Sequence, residues 1–209
     1  MKDILKLVAS LGLVCAIGAA ALCWVHGTTA GPIAQAEARE LASSLALVLP
    51  KTAERTEKVD GSIFYRALDK EGRTVGYAAQ ASGKGGFKGD VKVLVGLEPG
   101  GRIIGVMVTE SSETPGIGSK ATDRKEQKSL WDVLRGRAGG SAFPPNEYLD
   151  SYAGRQAMEF EYGGKGANGV HGVTGATYSS RAIMNGVNEV CRAFRELEQG
   201  GAAPREKGE

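Results

Sequence analysis

Five hydroxyl-bearing side chains fall within seven residues near the C-terminus, in Thr174-Gly175-Ala176-Thr177-Tyr178-Ser179-Ser180. The next stretch carries Ile183, Val187, Val190, Cys191, Phe194 and Leu197 on one face of a 3.6-residue helix. A helix N-terminus offers unpaired amides and the positive end of the dipole, a ready seat for phosphate. Gly175 and Ala176 let a ligand approach the backbone, and Ser179 or Ser180 can cap the helix or donate to a phosphate oxygen. Thr177 stands out among the hydroxyls. A turn followed by an ordinary N-cap would use the same residue types, and these seven residues alone leave both readings open.

Other chemistries find little material. The two histidines are His26 and His171, and two of the three cysteines, Cys15 and Cys23, lie in an apolar N-terminal run. No spacing suits zinc or an iron–sulfur cluster. A Ser-His-acid hydrolase would have to pair His171 with Ser179 or Ser180, and no nucleophile elbow supports it. The glycine-rich stretch at 83–89 lacks a Gly-Lys-Ser/Thr sequence and a following helix, so it reads as a mobile surface loop. A net charge of +2 is too small to argue for nucleic acid.

Two stretches resemble motifs of a known family. Thr174-Gly175-Ala176-Thr177 is similar to the flavin-attachment segment of the FMN-binding domain family, and Glu113-Thr114-Pro115-Gly116-Ile117-Gly118 is similar to that family's Glu-Thr-Pro-Gly-Leu-Gly segment. The likeness covers about residues 30–197 and implies covalent FMN, joined to Thr177 through a phosphoester. It also implies that Glu113, Thr114, Gly116, Ile117 and Gly118 form a turn against the flavin ring. Two positions depart from the pattern: His171 stands where the family carries aspartate, and Ser111 where it often has histidine. With its N-terminal anchor the chain is most similar to G subunits of Rnf-type electron-transport complexes. That implies electron transfer between other subunits of a membrane complex linking ferredoxin and NAD, coupled to ion movement, with a flavin transferase loading the cofactor. The C subunit of a sodium-pumping NADH:quinone reductase, and a membrane-tethered scaffold of the same fold without flavin, are the alternatives. The cofactor would perform the electron chemistry, so no catalytic residue is assigned.

These residues need a scaffold. Residues 7–25 carry no charge and span roughly 28 Å as a helix, about a bilayer's hydrocarbon thickness. Lys2 and Lys6 precede the run and no Lys or Arg follows before Arg39, so residues 1–6 are expected in the cytoplasm and the domain outside it. A cleaved signal peptide would have a shorter apolar region. A linker helix is expected within 26–50, ended by Pro50. Strands are expected at 62–67, 73–79, 91–97 and 103–109, joined as two hairpins, with a further short strand at 157–162. A helix is expected at 120–134, a loop at 135–148, and a disordered tail at 200–209. The sum is an α+β domain over 51–199, an antiparallel sheet flanked by helices, behind one transmembrane helix.

Overall fold

A computed structural model describes residues 2–112, 118–124 and 144–200. The expected turn at 113–117, the expected helix beyond residue 124, most of the loop at 135–148 and the tail from residue 201 lie outside the described residues. Residues 1–43 form one compact unit and residues 44–209 a second.

The first unit is helical. Helix α1 spans Lys2–Val48, its last turns belonging to the second unit. Its Ser10–Val48 portion, 39 residues, is long and apolar enough to cross a membrane. Leu11, Val14, Ile17, Leu22 and Trp24 are all exposed, so no protein surface covers them. Where the sequence predicts two helices, the structure has one, with Pro32 inside it. Proline removes one backbone bond at a cost of about 3 kcal/mol, and the helix continues through it.

The second unit is built on a five-stranded antiparallel meander in the order β1-β2-β3-β4-β5. The strands are β1 (Arg55–Lys58), β2 (Phe64–Leu68), β3 (Thr74–Gly83), β4 (Val91–Leu97) and β5 (Ile103–Glu110). Four follow the alternation and β-branched content of the sequence. The edge strand β1, Arg-Thr-Glu-Lys, has no apolar face, and its charges protect an open sheet edge. The β2–β3 turn is set by Asp69, whose Oδ1 accepts from Glu71 N at 3.0 Å and Arg73 N at 2.8 Å.

Short elements follow: α2 (Ser119–Thr122), α3 (Glu147–Asp150), and the parallel pair β6 (Glu161–Tyr162) and β7 (Gly169–Val170). The strand expected at 157–162 is thus only two residues long. The chain then enters α4 (Thr177–Gly200). Ala182, Ile183, Val187, Val190, Cys191 and Phe194 of α4 are buried with Val91, Val93, Val95 and Leu97 of the sheet. Each large apolar side chain so buried stabilises the fold by about 1.5–3 kcal/mol. The opposite face of β4 is also covered, since Leu94 is fully buried and a Cβ at Gly96 would overlap the Val48 carbonyl.

Candidate functional site

The hydroxyl-rich stretch folds into a tight turn and the first turn of α4. Ala176 N donates to Val173 O at 3.0 Å, closing a β-turn whose third residue, Gly175, has φ +82°. A type II turn needs that left-handed geometry, and glycine adopts it without strain. Nothing lies within 4 Å of the place a Gly175 Cβ would occupy, so this backbone is open to a ligand. Thr174 and Thr177 are exposed, whereas Ala176 is buried and anchors the turn.

Ser180 N donates to Ala176 O at 2.9 Å, which puts an alanine at the N-cap. Alanine has no capping oxygen, and among the described residues no acceptor meets the amides of Thr177, Tyr178 and Ser179. The serines turn inward. Ser179 and Ser180 are buried, and Ser180 Oγ accepts from Val173 N at 3.1 Å. Ser180 thus braces the turn from behind, while Thr177 stays exposed at the start of the helix.

A buried tyrosine pair supports this corner. Tyr148 Oη donates to Ser180 O at 2.6 Å and lies 2.8 Å from Tyr152 Oη. Tyr148 has one proton and uses it on Ser180, so Tyr152 must donate to Tyr148. Burial pushes both phenols well above the usual tyrosine range, which keeps these donors protonated. Asn146 sets Tyr148 in place by capping α3: its Oδ1 accepts from Tyr148 N and Leu149 N, both at 3.0 Å. Its Nδ2 donates to Asp123 O at 3.0 Å, tying α3 to the segment after α2. This short helix falls partly in the loop expected from sequence; Asn146, an N-cap residue type three positions before Leu149, was its one local signal.

Of the expected ring-edge residues, Glu113, Thr114, Gly116 and Ile117 lie outside the described residues, and Gly118 is buried at the start of α2. Helix α2 packs against α4, so Gly118 leads into an element that touches the helix carrying Thr177. His171 is exposed just after β7. Beside it, a Cβ at Gly172 would overlap the Tyr162 ring, and the Arg181 guanidinium lies over that ring at 4.8 Å.

The arrangement fits a phosphate group: an exposed threonine, uncapped amides at a helix start and open space over a glycine. Residues 86–192 match the family model described as the FMN-binding domain. Over 95% of both chains the protein is 26% identical to the G subunit of the Na(+)-translocating ferredoxin:NAD(+) oxidoreductase complex of Acetobacterium woodii. It is also 26% identical, over 90% of each chain, to the G subunit of the proton-translocating ferredoxin:NAD(+) oxidoreductase complex of Clostridium ljungdahlii. Among solved structures it is similar to Shewanella oneidensis NqrC, with a TM-score of 0.44 and 21% identity over 72% of this chain and 73% of that one. The family match takes in β4, β5, the turn at Gly175 and the first two-thirds of α4, which is more than half the sequence, and the protein belongs to the FMN-binding domain family.

Proposed function

We propose that this chain is the membrane-anchored flavoprotein subunit of an ion-translocating ferredoxin:NAD oxidoreductase complex, with FMN held covalently through a phosphoester at Thr177. The observation that carries this reading is the exposed Thr177 hydroxyl at an uncapped helix start. Relatives named as the G subunits of such complexes, similar over nearly their whole length, support the setting.

Bound there, FMN would supply reversible electron transfer at its ring system. The protein's part is attachment and orientation. Thr177 Oγ1 would hold the flavin phosphate as an ester. The uncapped amides of Thr177, Tyr178 and Ser179 would offset the charge of that ester, aided by the α4 dipole. Thr174 and Gly175 shape the approach, Ala176 and Ser180 hold it from within, and Ser179 closes the first turn. Glu113, Thr114, Gly116, Ile117 and Gly118 would receive the ring edge. A flavin transferase performs the loading. The apolar helix α1 anchors the subunit, and the charge asymmetry around it supports a domain outside the cytoplasm.

The test is a denaturing gel of the full chain co-expressed with a flavin transferase and viewed under ultraviolet light. Wild type and Thr174→Ala should fluoresce, and Thr177→Ala should not. Flavin persisting in Thr177→Ala, or mapped by peptide mass spectrometry to another residue, overturns the assignment.

A further inference from the structure

The first turns of α4 carry positive charge that the fold leaves unneutralised. Thr177, Arg181 and Asn185 follow at intervals of four and share one exposed stripe of the helix. Arg181 lies over the Tyr162 ring at 4.8 Å, a contact that holds the guanidinium and keeps its charge. The glycine-rich stretch comes to the same turns. Gly83, at the end of β3, lies so close to α4 that a Cβ would overlap the Ala182 carbonyl, and Asn185 Nδ2 donates to Lys84 O at 3.1 Å. Three residues on, the Phe87 ring rests against Tyr178, with centroids 6.5 Å apart. The stretch, which from sequence reads as a mobile surface loop, is therefore fastened at Lys84 and again at Phe87. That brings Lys84 and Lys88 beside the helix start.

Lys84, Lys88 and Arg181 are all exposed, and among the described residues none of them pairs with a carboxylate. Elsewhere on the domain Arg55, Lys70, Arg73, Lys92 and Arg192 each do so, at 2.5 to 3.5 Å. Other unpaired cations exist, Lys58 among them, but these three are gathered at one helix start by the contacts above. The acids nearest in sequence are engaged with other groups. Asp90 Oδ2 accepts from Ser82 Oγ at 3.2 Å, and Glu189, the first acid of α4, pairs with Arg192. A cluster of cations without counter-ions attracts carboxylates and steers their approach. The single charge of an ester at Thr177 would offset only part of it.

We propose that Lys84, Lys88 and Arg181 form a docking rim for a carboxylate-rich face of another protein subunit. The proposal rests on the subunit reading above and goes beyond it by naming the surface and the charge of the partner that meets it. Anionic lipid carries the same sign, but a subunit of a complex has protein neighbours, and electrons must enter or leave at the corner this rim surrounds.

The complex is purified with the full chain in place, and the full chain is also purified alone in detergent. Both are acetylated briefly, and the labelling of each lysine is read by peptide mass spectrometry. Lys84 and Lys88 react roughly fivefold more slowly in the complex, and higher ionic strength weakens this protection. A water-soluble carbodiimide, which joins an ammonium directly to a carboxylate, couples them to Asp or Glu of another subunit. In a complex carrying Arg181→Glu the two lysines label roughly fivefold faster than in wild type, whereas Arg181→Lys keeps them protected. Circular dichroism of the lone chain checks that each variant is folded. Lysines that label equally in both wild-type samples, or that couple to no carboxylate of another chain, overturn the rim. Equal protection of the lone chain in vesicles of phosphatidylcholine and phosphatidylglycerol also overturns it, by assigning the charge to lipid. A full chain that purifies with no other subunit overturns both the rim and the subunit reading, while absence of flavin from Thr177 in a protected, cross-linked complex overturns the attachment alone.

Discussion

The tyrosine pair behind Ser180 makes a quantitative prediction. Tyr148→Phe removes the 2.6 Å bond to the Ser180 carbonyl, worth about 1 kcal/mol net. It also leaves the buried Tyr152 hydroxyl without its acceptor, a desolvation cost of roughly 1–3 kcal/mol. The total is about 2–4 kcal/mol, or roughly 4–16 °C in Tm for a domain of this size. Tyr152→Phe removes only the terminal donor and should cost about 1 kcal/mol. The double variant has no stranded hydroxyl, so its loss should fall short of the sum of the singles by about 1 kcal/mol. The assay is thermal unfolding of the detergent-solubilised full chain, followed by near-ultraviolet circular dichroism. Single effects that add, or a Tyr152→Phe loss larger than that of Tyr148→Phe, would refute the directional chain from Tyr152 through Tyr148 to Ser180.

Other expectations follow from the same coordinates. Gly83→Ala drives a Cβ into the Ala182 carbonyl and should cost about 1–3 kcal/mol in the same unfolding assay. Gly85→Ala meets open space and pays only for its positive φ, about 1 kcal/mol, so equal losses would refute the close approach of β3 to α4. Burial pushes the Cys191 thiol from 9.0 up to about 12, so the unfolded chain releases this proton first as pH rises. Stability should therefore fall progressively from pH 9 towards 12, and Cys191→Ala should flatten the Tm–pH slope between 9 and 10; an unchanged slope counts against it. His171→Asp should raise the flavin-loaded fraction by roughly twofold during co-expression with a flavin transferase, since a carboxylate accepts hydrogen bonds from two directions where a neutral imidazole has one acceptor. Equal flavin-to-protein absorbance ratios would show that the imidazole carries no penalty.

The parts legible in the sequence were those with a strong period or a compact motif. The inner strands and α4 announced themselves through Val91, Val93 and Val95 and through Ile183, Val187 and Phe194, whose spacing matches the faces they bury. The turn and helix start at Gly175 were legible because glycine, alanine and hydroxyls cluster in one short run before a helical period. What stayed hidden depended on contacts between distant segments. Nothing local in Phe87 says that it meets Tyr178, and nothing in Tyr148 says that it reaches Ser180. The inward turn of Ser179 and Ser180 was equally unreadable, because a serine's sequence position does not reveal which way its hydroxyl faces. Strand β1 escaped notice because an edge strand with both faces polar leaves no hydrophobic period.

The meander and its last helix also impose an order of assembly. Each strand of β1-β2-β3-β4-β5 pairs with its neighbour in the chain, so the sheet can grow by successive local hairpins. The inner face of that sheet is closed by Ile183, Val187, Val190 and Phe194, from the last described helix. Until those residues arrive, Val93, Val95 and Leu97 have no helix over them, and the corner at Thr177 does not exist as a shape. An enzyme that recognises the corner therefore meets its target only on a finished domain. Any modification that reads the folded corner would follow folding and could not precede it.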